Sequence, residues 1–392
     1  MRYKGSRKSL PEIAQELNVD AVIEGTVQRS GGRVRVTTQL IHASTDAHLW
    51  ARDYERDLSD VLKLQSDVAR AVADEIRIQV TPEERARLAA ARNINPQAHE
   101  AYLLGRHHLR TNEEDLRQAI GHFERAIQLA PDYAAAYAGL SSAYFPYLFG
   151  FGTKNHKEVM PLARDNALKA VTLDPELAEA HVALGQVKSF DWDWAGTEQE
   201  LTRALELDPN SAEAHRVHGD LLSAQERHAE AIREMQRAEE LDPLSSVTQS
   251  RYARTLYRAR KYEEAVPHVQ RAIELDPNPR NVTPYWILGD LYLEMGRYDE
   301  AIASLKKAQS HGGNALQISA DVAGVYARMG KQKEARRMLA ELKATTDPAS
   351  FSNAEVAYAY TALGDKDEAF KVLFAWSKSV TTPLPISRHN LR

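Results

Sequence analysis

The sequence predicts a mainly α-helical chain of stacked helical hairpins, preceded by a small α/β module with a three-stranded antiparallel sheet. Three observations predict it. The tripeptide Leu-Asp-Pro stands at 173–175 and returns at 207–209, 241–243 and 275–277, each copy 34 residues after the last. The stretches that run into these copies, such as "AEAIREMQRAEELDP" and "EEAVPHVQRAIELDP", carry apolar residues at helical period. Residues 21–41, by contrast, alternate apolar and polar side chains, which is the period of a strand.

Taken in order, "SLPEIAQELNVD" reads as a short helix, with Ser9 as N-cap and Glu12 placed to complete a capping box. "DAVIEGTVQR" then sets Ala21, Ile23, Gly25 and Val27 on one side of a strand. "SGG" at 30–32 is turn chemistry, and "RVRVTTQLI" puts Val34, Val36, Thr38 and Leu40 on one face. "STDAH" turns the chain again before a third strand, "LWARDYERD". A helix follows from about Leu58 to Val80, and "TPEERARLAAARNINPQ" leads into the repeats. The expected division is a small α/β domain at 1–80, a helical linker at 81–97, a solenoid at 98–381 and a tail at 382–392.

Proline lacks the helical N–H and pushes its predecessor out of the α region, so each Leu-Asp-Pro ends one helix and opens the way to the next. Downstream of each copy comes a second amphipathic segment, such as "AEAHVALGQVKSF" or "AEAHRVHGDLLSA". The unit is helix–turn–helix. Leu184-Gly185 at its seventh and eighth positions, Ala204 at the twenty-seventh and Pro209 at the thirty-second resemble the tetratricopeptide repeat, as do Tyr285, Leu288-Gly289, Tyr292, Ala301 and Ala308 three repeats further on. Small residues at these positions let two helices approach closely. The anchors give eight repeats, with slips near "TNEEDL", in "FGFGTKNHKE" and at "NPR". The resemblance implies a right-handed α–α superhelix.

The segment "LNVDAVIEGTVQRSGGRVRVTTQLIHASTDAHLWARDYERDL" resembles a small α/β module, related to the TolB N-terminal and FlgO-like domains, that precedes such repeats in bacterial signalling proteins. There, module and repeats accompany a winged-helix DNA-binding domain, a serine/threonine kinase or an adenylate cyclase. Relatives have a further strand and helix before the point where Met1 falls. Two functions are implied: a noncatalytic interaction scaffold or sensor of a bacterial signalling system, or the regulatory C-terminal portion of a larger effector.

Composition bounds the rest. With a formal charge of −5 there is no electrostatic case for direct nucleic-acid binding. The chain has no cysteine, which excludes disulfides, thiolate catalysis and Cys-ligated metals. No apolar run is long enough to span a membrane. The cytoplasm is the expected compartment, with the periplasm as the alternative. "GFGTKN" at 150–155 lacks the third glycine and the Lys-Ser/Thr of a phosphate loop, and follows a helix rather than a strand. His215 and His218 have helical i,i+3 spacing but occupy packing positions and lack a third ligand. No enzyme, metal or cofactor is expected.

Binding is the expected activity, because stacked helix pairs present a concave face lined by the first helix of each pair. Arg251, Arg254 and Arg258, with Tyr257, form one stripe of a helix. Arg216 and Trp286 lie on the neighbouring first helices, and Tyr102 and Arg106 belong to the first repeat. Arginine's planar fork suits carboxylates, so the expected ligand is a protein or peptide segment, acidic where it meets these residues. A second candidate is an edge patch of aromatics, Phe149 and Phe151 with Trp192 and Trp194. At the far end, Phe370, Leu373, Phe374 and Trp376 exceed what one helix pair can bury, so partial exposure and self-association through the last repeat are expected.

Overall fold

The structure, a computed structural model, describes residues 8–17, 19–30, 33–42, 45–57, 67–68, 71–72, 95–109, 113–149, 156–277, 282–346 and 354–379. The chain divides into two compact units, Met1–Ala180 and His181–Arg392. The expected fold class is observed: mostly helix in hairpins, with one small antiparallel sheet near the N-terminus.

In the first unit, α1 (Leu10–Leu17) opens on the capping box read from the sequence. Ser9 N donates to Glu12 Oε2 at 2.6 Å, and Glu12 N donates to Ser9 Oγ at 3.4 Å. The strands β1 (Ala21–Ser30), β2 (Arg33–His42) and β3 (Ala47–Asp57) pair antiparallel in sequence order. Val34, Thr38 and Leu40 on the central strand are buried, as is Trp50 opposite Leu40. Ile41 is buried as well, although it belongs to the other side of the alternation. The register shifts between Leu40 and Ile41, and such an irregularity breaks the strict two-residue period. Ile23 and Val27 on the edge strand β1 remain exposed. The helix expected at 58–80 lies outside the described residues apart from 67–68 and 71–72, which are helical, and so does the linker up to 94.

Two hairpins complete this unit: α2 (Pro96–His107) with α3 (Glu113–Leu129), and α4 (Ala134–Tyr144) with α5 (His156–Leu173). A single 3₁₀ turn, Phe145–Phe149, follows α4. Phe123 of α3, with no exposed surface, fills the space between two helix backbones; a Cβ on Gly105 would lie 2.7 Å from its ring. Close packing of this kind leaves no room for a methyl group.

The chain continues as α6 (Ala178–Phe190), α7 (Trp194–Leu207), α8 (Ala212–Ala224), α9 (His228–Leu241), α10 (Ser246–Arg258), α11 (Tyr262–Leu275), α12 (Thr283–Glu294), α13 (Tyr298–Ser310), α14 (Ala315–Arg328), α15 (Gln332–Thr345), α16 (Ala354–Ala362) and α17 (Lys366–Ser379). Local chemistry explains the 34-residue ruler. The Asp of Leu-Asp-Pro caps the second helix of each pair, its N–H donating to Ala204, Ala238 or Ala272. The Asp208 carboxylate then accepts from Asn210 N at 3.1 Å, and that of Asp242 from Leu244 N at 3.3 Å, closing side-chain turns. Ser211 and Ser245 cap the following helices by accepting from Ala214 N and Thr248 N.

Within each hairpin, the turn places one residue in the left-handed region: Trp192, Glu226, Arg260, Gly296, Gly330 and Gly364, with φ between 60° and 78°. The next N–H reaches back five residues, as from Arg227 to Leu222 O at 2.9 Å and from Lys331 to Tyr326 O at 2.9 Å. This pattern satisfies carbonyls at a helix end that would otherwise lack donors.

A polar rung also crosses three of the hairpins at one register, 19 residues apart in sequence. His181 Nδ1 lies 2.6 Å from Glu200 Oε2, His215 Nδ1 2.6 Å from Glu234 Oε2, and His268 Nδ1 2.8 Å from Gln249 Oε1. The i,i+3 pair of His215 and His218 is thus explained by Glu234, whose Oε1 stands 3.6 Å from His218.

Candidate functional site

The first helices of successive hairpins in the second unit, α8, α10, α12, α14 and α16, carry the groove residues read from the sequence and several that the sequence did not mark. Arginines concentrate on α10, and the carboxyls of Asp290, Asp321 and Glu355 lie on α12, α14 and α16.

On α8, Arg216 is half-buried, 3.7 Å from Glu213 and 3.6 Å from Asp220. Asp220 reaches across to Arg251 on α10 at 3.8 Å, so one carboxylate serves two of the expected arginines. Arg254 and Arg258 continue the stripe on α10. Arg258 is open to solvent yet ringed by protein, and its guanidinium is pulled down to about 10, first by that enclosure and then by the like charges of Arg254 and Arg251. Tyr257 is half-buried, its ring 5.7 Å from that of Tyr262. Burial, and then the charges of Asp290 and Glu294, push its phenol up.

Trp286 on α12 is half-buried beside Asp321 of α14, to which its indole donates. Asp290 on α12 and Glu355 on α16 complete a group of three carboxyls, all shifted upward. Asp290 rises to about 7, chiefly by burial, with Glu355 and Glu294 adding to the shift and Arg254 opposing it. Asp321 rises well above the carboxylate range through burial and the charges of Asp290 and Glu355. Burial raises Glu355 too, again against Arg254. Asp321 Oδ2 is buried and accepts no hydrogen bond. Glu294 is held by Arg328 of α14 at 3.1 Å, and the same guanidinium donates to Tyr358 OH at 3.1 Å.

Other sequence candidates differ in placement. Tyr102 was expected to face a groove but is buried; its ring is 5.2 Å from Tyr133 and 6.0 Å from Phe123. It is a packing residue, because the apolar floor of α2 needs a large ring there, and only its hydroxyl meets Arg106 Nη1, at 3.3 Å. Trp192 and Trp194 are half-buried and pack edge to face at 5.2 Å. The Trp192 Nε1 is buried without a hydrogen-bond partner, so these rings form a shielded pair and not an open patch. Phe151 and the side chain of Phe149 lie outside the described residues, as do "GFGTKN" and the side chain of Trp376. Phe370 and Phe374 on α17 are 73% and 60% exposed, while Leu373 is half-buried against the core. Among the described residues no group of three His, Asp or Glu could hold a metal ion, and no helix is long and apolar enough to cross a membrane.

Asp321 and Glu355 were missed. One signal could have found them, since they lie 34 residues apart and so occupy the same place in consecutive repeats.

The family model of the tetratricopeptide repeat matches residues 193–246 and 252–315, and these stretches are tetratricopeptide repeats. A protein of Rhizobium meliloti (strain 1021) named as an adenylate cyclase is 32% identical over 140 residues, 36% of this chain. The match spans 24% of that relative's length. Among solved structures, the human IFIT1 dimer with m7Gppp-AAAA is similar at 18% identity and a TM-score of 0.51, with 71% of this chain and 70% of that chain covered. PilF of Pseudomonas aeruginosa is similar at 20% identity and a TM-score of 0.42, covering 61% of this chain and 96% of its own.

Proposed function

We propose that this repeat protein is a noncatalytic interaction scaffold, holding an extended protein or peptide segment along the row of first helices from α8 to α16. The carrying observation is the arginine stripe of α10. Three guanidiniums share one helix face, Asp220 stands 3.8 Å from Arg251, and Arg258 is depressed by enclosure and then by its like-charged neighbours. Adding a carboxylate there relieves repulsion and makes charge-assisted, two-pronged hydrogen bonds. The segment therefore presents an acidic residue to Arg251, Arg254 and Arg258. Capture from an extract of the source cell tests this. The intact chain is expected to retain a partner that Arg251→Glu with Arg254→Glu loses at least tenfold; equal retention would remove the arginine stripe from the reading.

The similarity to the Rhizobium protein favours a second reading. In it, the N-terminal sheet module is of the TolB N-terminal and FlgO-like kind, and the repeats regulate an effector domain of a larger signalling protein. An in-frame cyclase, kinase or winged-helix sequence upstream of Met1 in the genomic DNA supports it, and an upstream stop codon with an unrelated neighbouring gene overturns it. The exposed Phe370 and Phe374 add a proposed contact between copies. Light scattering that reports a monomer at every concentration would count against that contact.

A further inference from the structure

The carboxyls of Asp290, Asp321 and Glu355 are short of positive charge. Arg254 is the cation that acts on both Asp290 and Glu355. Arg328, the next guanidinium along the row, is engaged by Glu294 and Tyr358. A buried carboxylate oxygen without a donor is strongly unfavourable, and Asp321 Oδ2 is such an atom. The other partner of Asp321 is the Trp286 indole, a neutral donor that leaves the carboxylate's charge uncompensated.

We infer that the groove from Tyr257 on α10 to Glu355 on α16 takes a lysine or arginine side chain of the bound segment, with Asp290 and Glu355 around its charge and Asp321 beneath. This rests on the reading of the row as a peptide groove and adds a second polarity to it: acidic residue on α8–α10, basic residue on α12–α16. The segment is thereby oriented, since reversing it would set like charges together at both ends.

The cation is organic, not a bare metal. The three carboxyls come from three helices, and among the described residues no group of three could hold a metal ion. A guanidinium or ammonium on a flexible stem has several donors and can serve separated acceptors. Tyr257, Trp286 and Tyr358 supply aromatic surface for the stem and for the charge itself. Burial holds all three carboxyls upward, Asp290 to about 7, and an arriving cation favours their ionised forms. Arg254, Glu294, Tyr257, Tyr358 and Arg328 are the other charged or titratable groups that act on this cluster.

The test uses the full chain, N-acetyl-arginine amide, and its neutral isostere N-acetyl-citrulline amide. The indole N–H of Trp286, assigned by its loss in Trp286→Phe, reports binding in ¹H–¹⁵N spectra. The arginine probe is expected to shift this signal saturably, the citrulline probe to leave it in place, and Asp290→Asn or Glu355→Gln to weaken the arginine probe at least fivefold. Equal shifts by both probes, or undiminished binding in both variants, overturns the inference. Asp321→Asn adds a readout that does not depend on a probe: it is expected to raise the melting temperature while weakening the probe, whereas a carboxylate with a purely structural role would lower it. Arg251→Glu with Arg254→Glu should leave the arginine probe bound. Loss of the acidic partner with the probe retained removes only the arginine half, and the converse removes only the cation site.

Discussion

The hairpins from α6 to α11 and those from α12 to α17 are built on one ruler, yet they treat a charge inside the fold in opposite ways. In the first group a buried or half-buried histidine or glutamine on one helix meets a carboxylate or histidine on the other, at 2.6 to 2.8 Å, at the same register in each hairpin. In the second group the equivalent rung is gone. Tyr285 and Ser304 stand there in the next hairpin, and half-buried carboxyls lie instead on the first helices, each raising the others across neighbouring repeats. The turns divide along the same line: Trp192, Glu226 and Arg260 accept left-handed geometry in the first group, where Gly296, Gly330 and Gly364 take it in the second. A charge paired inside its own hairpin is a structural element. A charge left unpaired on the row of first helices is compensated from outside, by a proton or by a ligand.

The comparison is broken most severely by removing a rung. Glu234→Ala leaves His215 and His218 without their carboxylate and is expected to destabilise the second unit by about 3 kcal/mol, read as a lowered midpoint in urea unfolding. The acid cluster should answer in the other direction. Asp321→Asn, which removes a buried like charge, is expected to stabilise by about 1–2 kcal/mol at neutral pH in the same assay.

Acidity sharpens the contrast. The His215 imidazole is held above its usual range, because Nδ1 faces Glu234 and Nε2 faces the Pro209 carbonyl at 3.1 Å, outweighing its burial. Its stabilising contribution is complete below about 6.5 and is lost as pH rises through the higher folded value. Glu234 is depressed to about 2 by the same two histidines, so its contribution holds above its usual value and is lost only as pH falls toward 2. Asp290 is raised to about 7, so the penalty of ionising it in the fold is absent below about 4 and grows until about 7. Thermal melts should therefore show the loss from His215→Gln to be greater at pH 5.5 than at pH 8.5. The gain from Asp290→Asn should be greater at pH 8 than at pH 5, and a gain of equal size at both would show that its carboxyl is not raised. The smallest effect is expected at the turns. Arg260→Gly relieves a left-handed non-glycine residue and should raise stability by about 0.5–1 kcal/mol, while Gly330→Arg should lower it by a similar amount.

Much of the fold was legible residue by residue. Ser9 and Glu12 announced a capping box, the alternation of 21–41 announced two strands, and the Leu-Asp-Pro copies announced where helices stop. The candidate site was legible only in its arginines. Arg251, Arg254 and Arg258 share a helix, so their spacing alone puts them on one stripe. Asp290, Asp321 and Glu355 each lie on a different helix, and each taken singly reads as an ordinary exposed acid. Tyr102 was misplaced for the related reason that helical spacing gives a face but not what lies against it.

What the sequence determined by itself is whatever depends on the backbone within a few residues: the proline stops, the serine caps, the helix–turn–helix period and hence the class of fold. Tertiary structure decided the state of the charges. A carboxylate beside a histidine 19 residues away becomes a tie between helices, while one beside two other carboxyls is held toward its protonated form. Coulomb interaction and desolvation depend on distance in space and on enclosure by protein, and neither is a property of position along the chain.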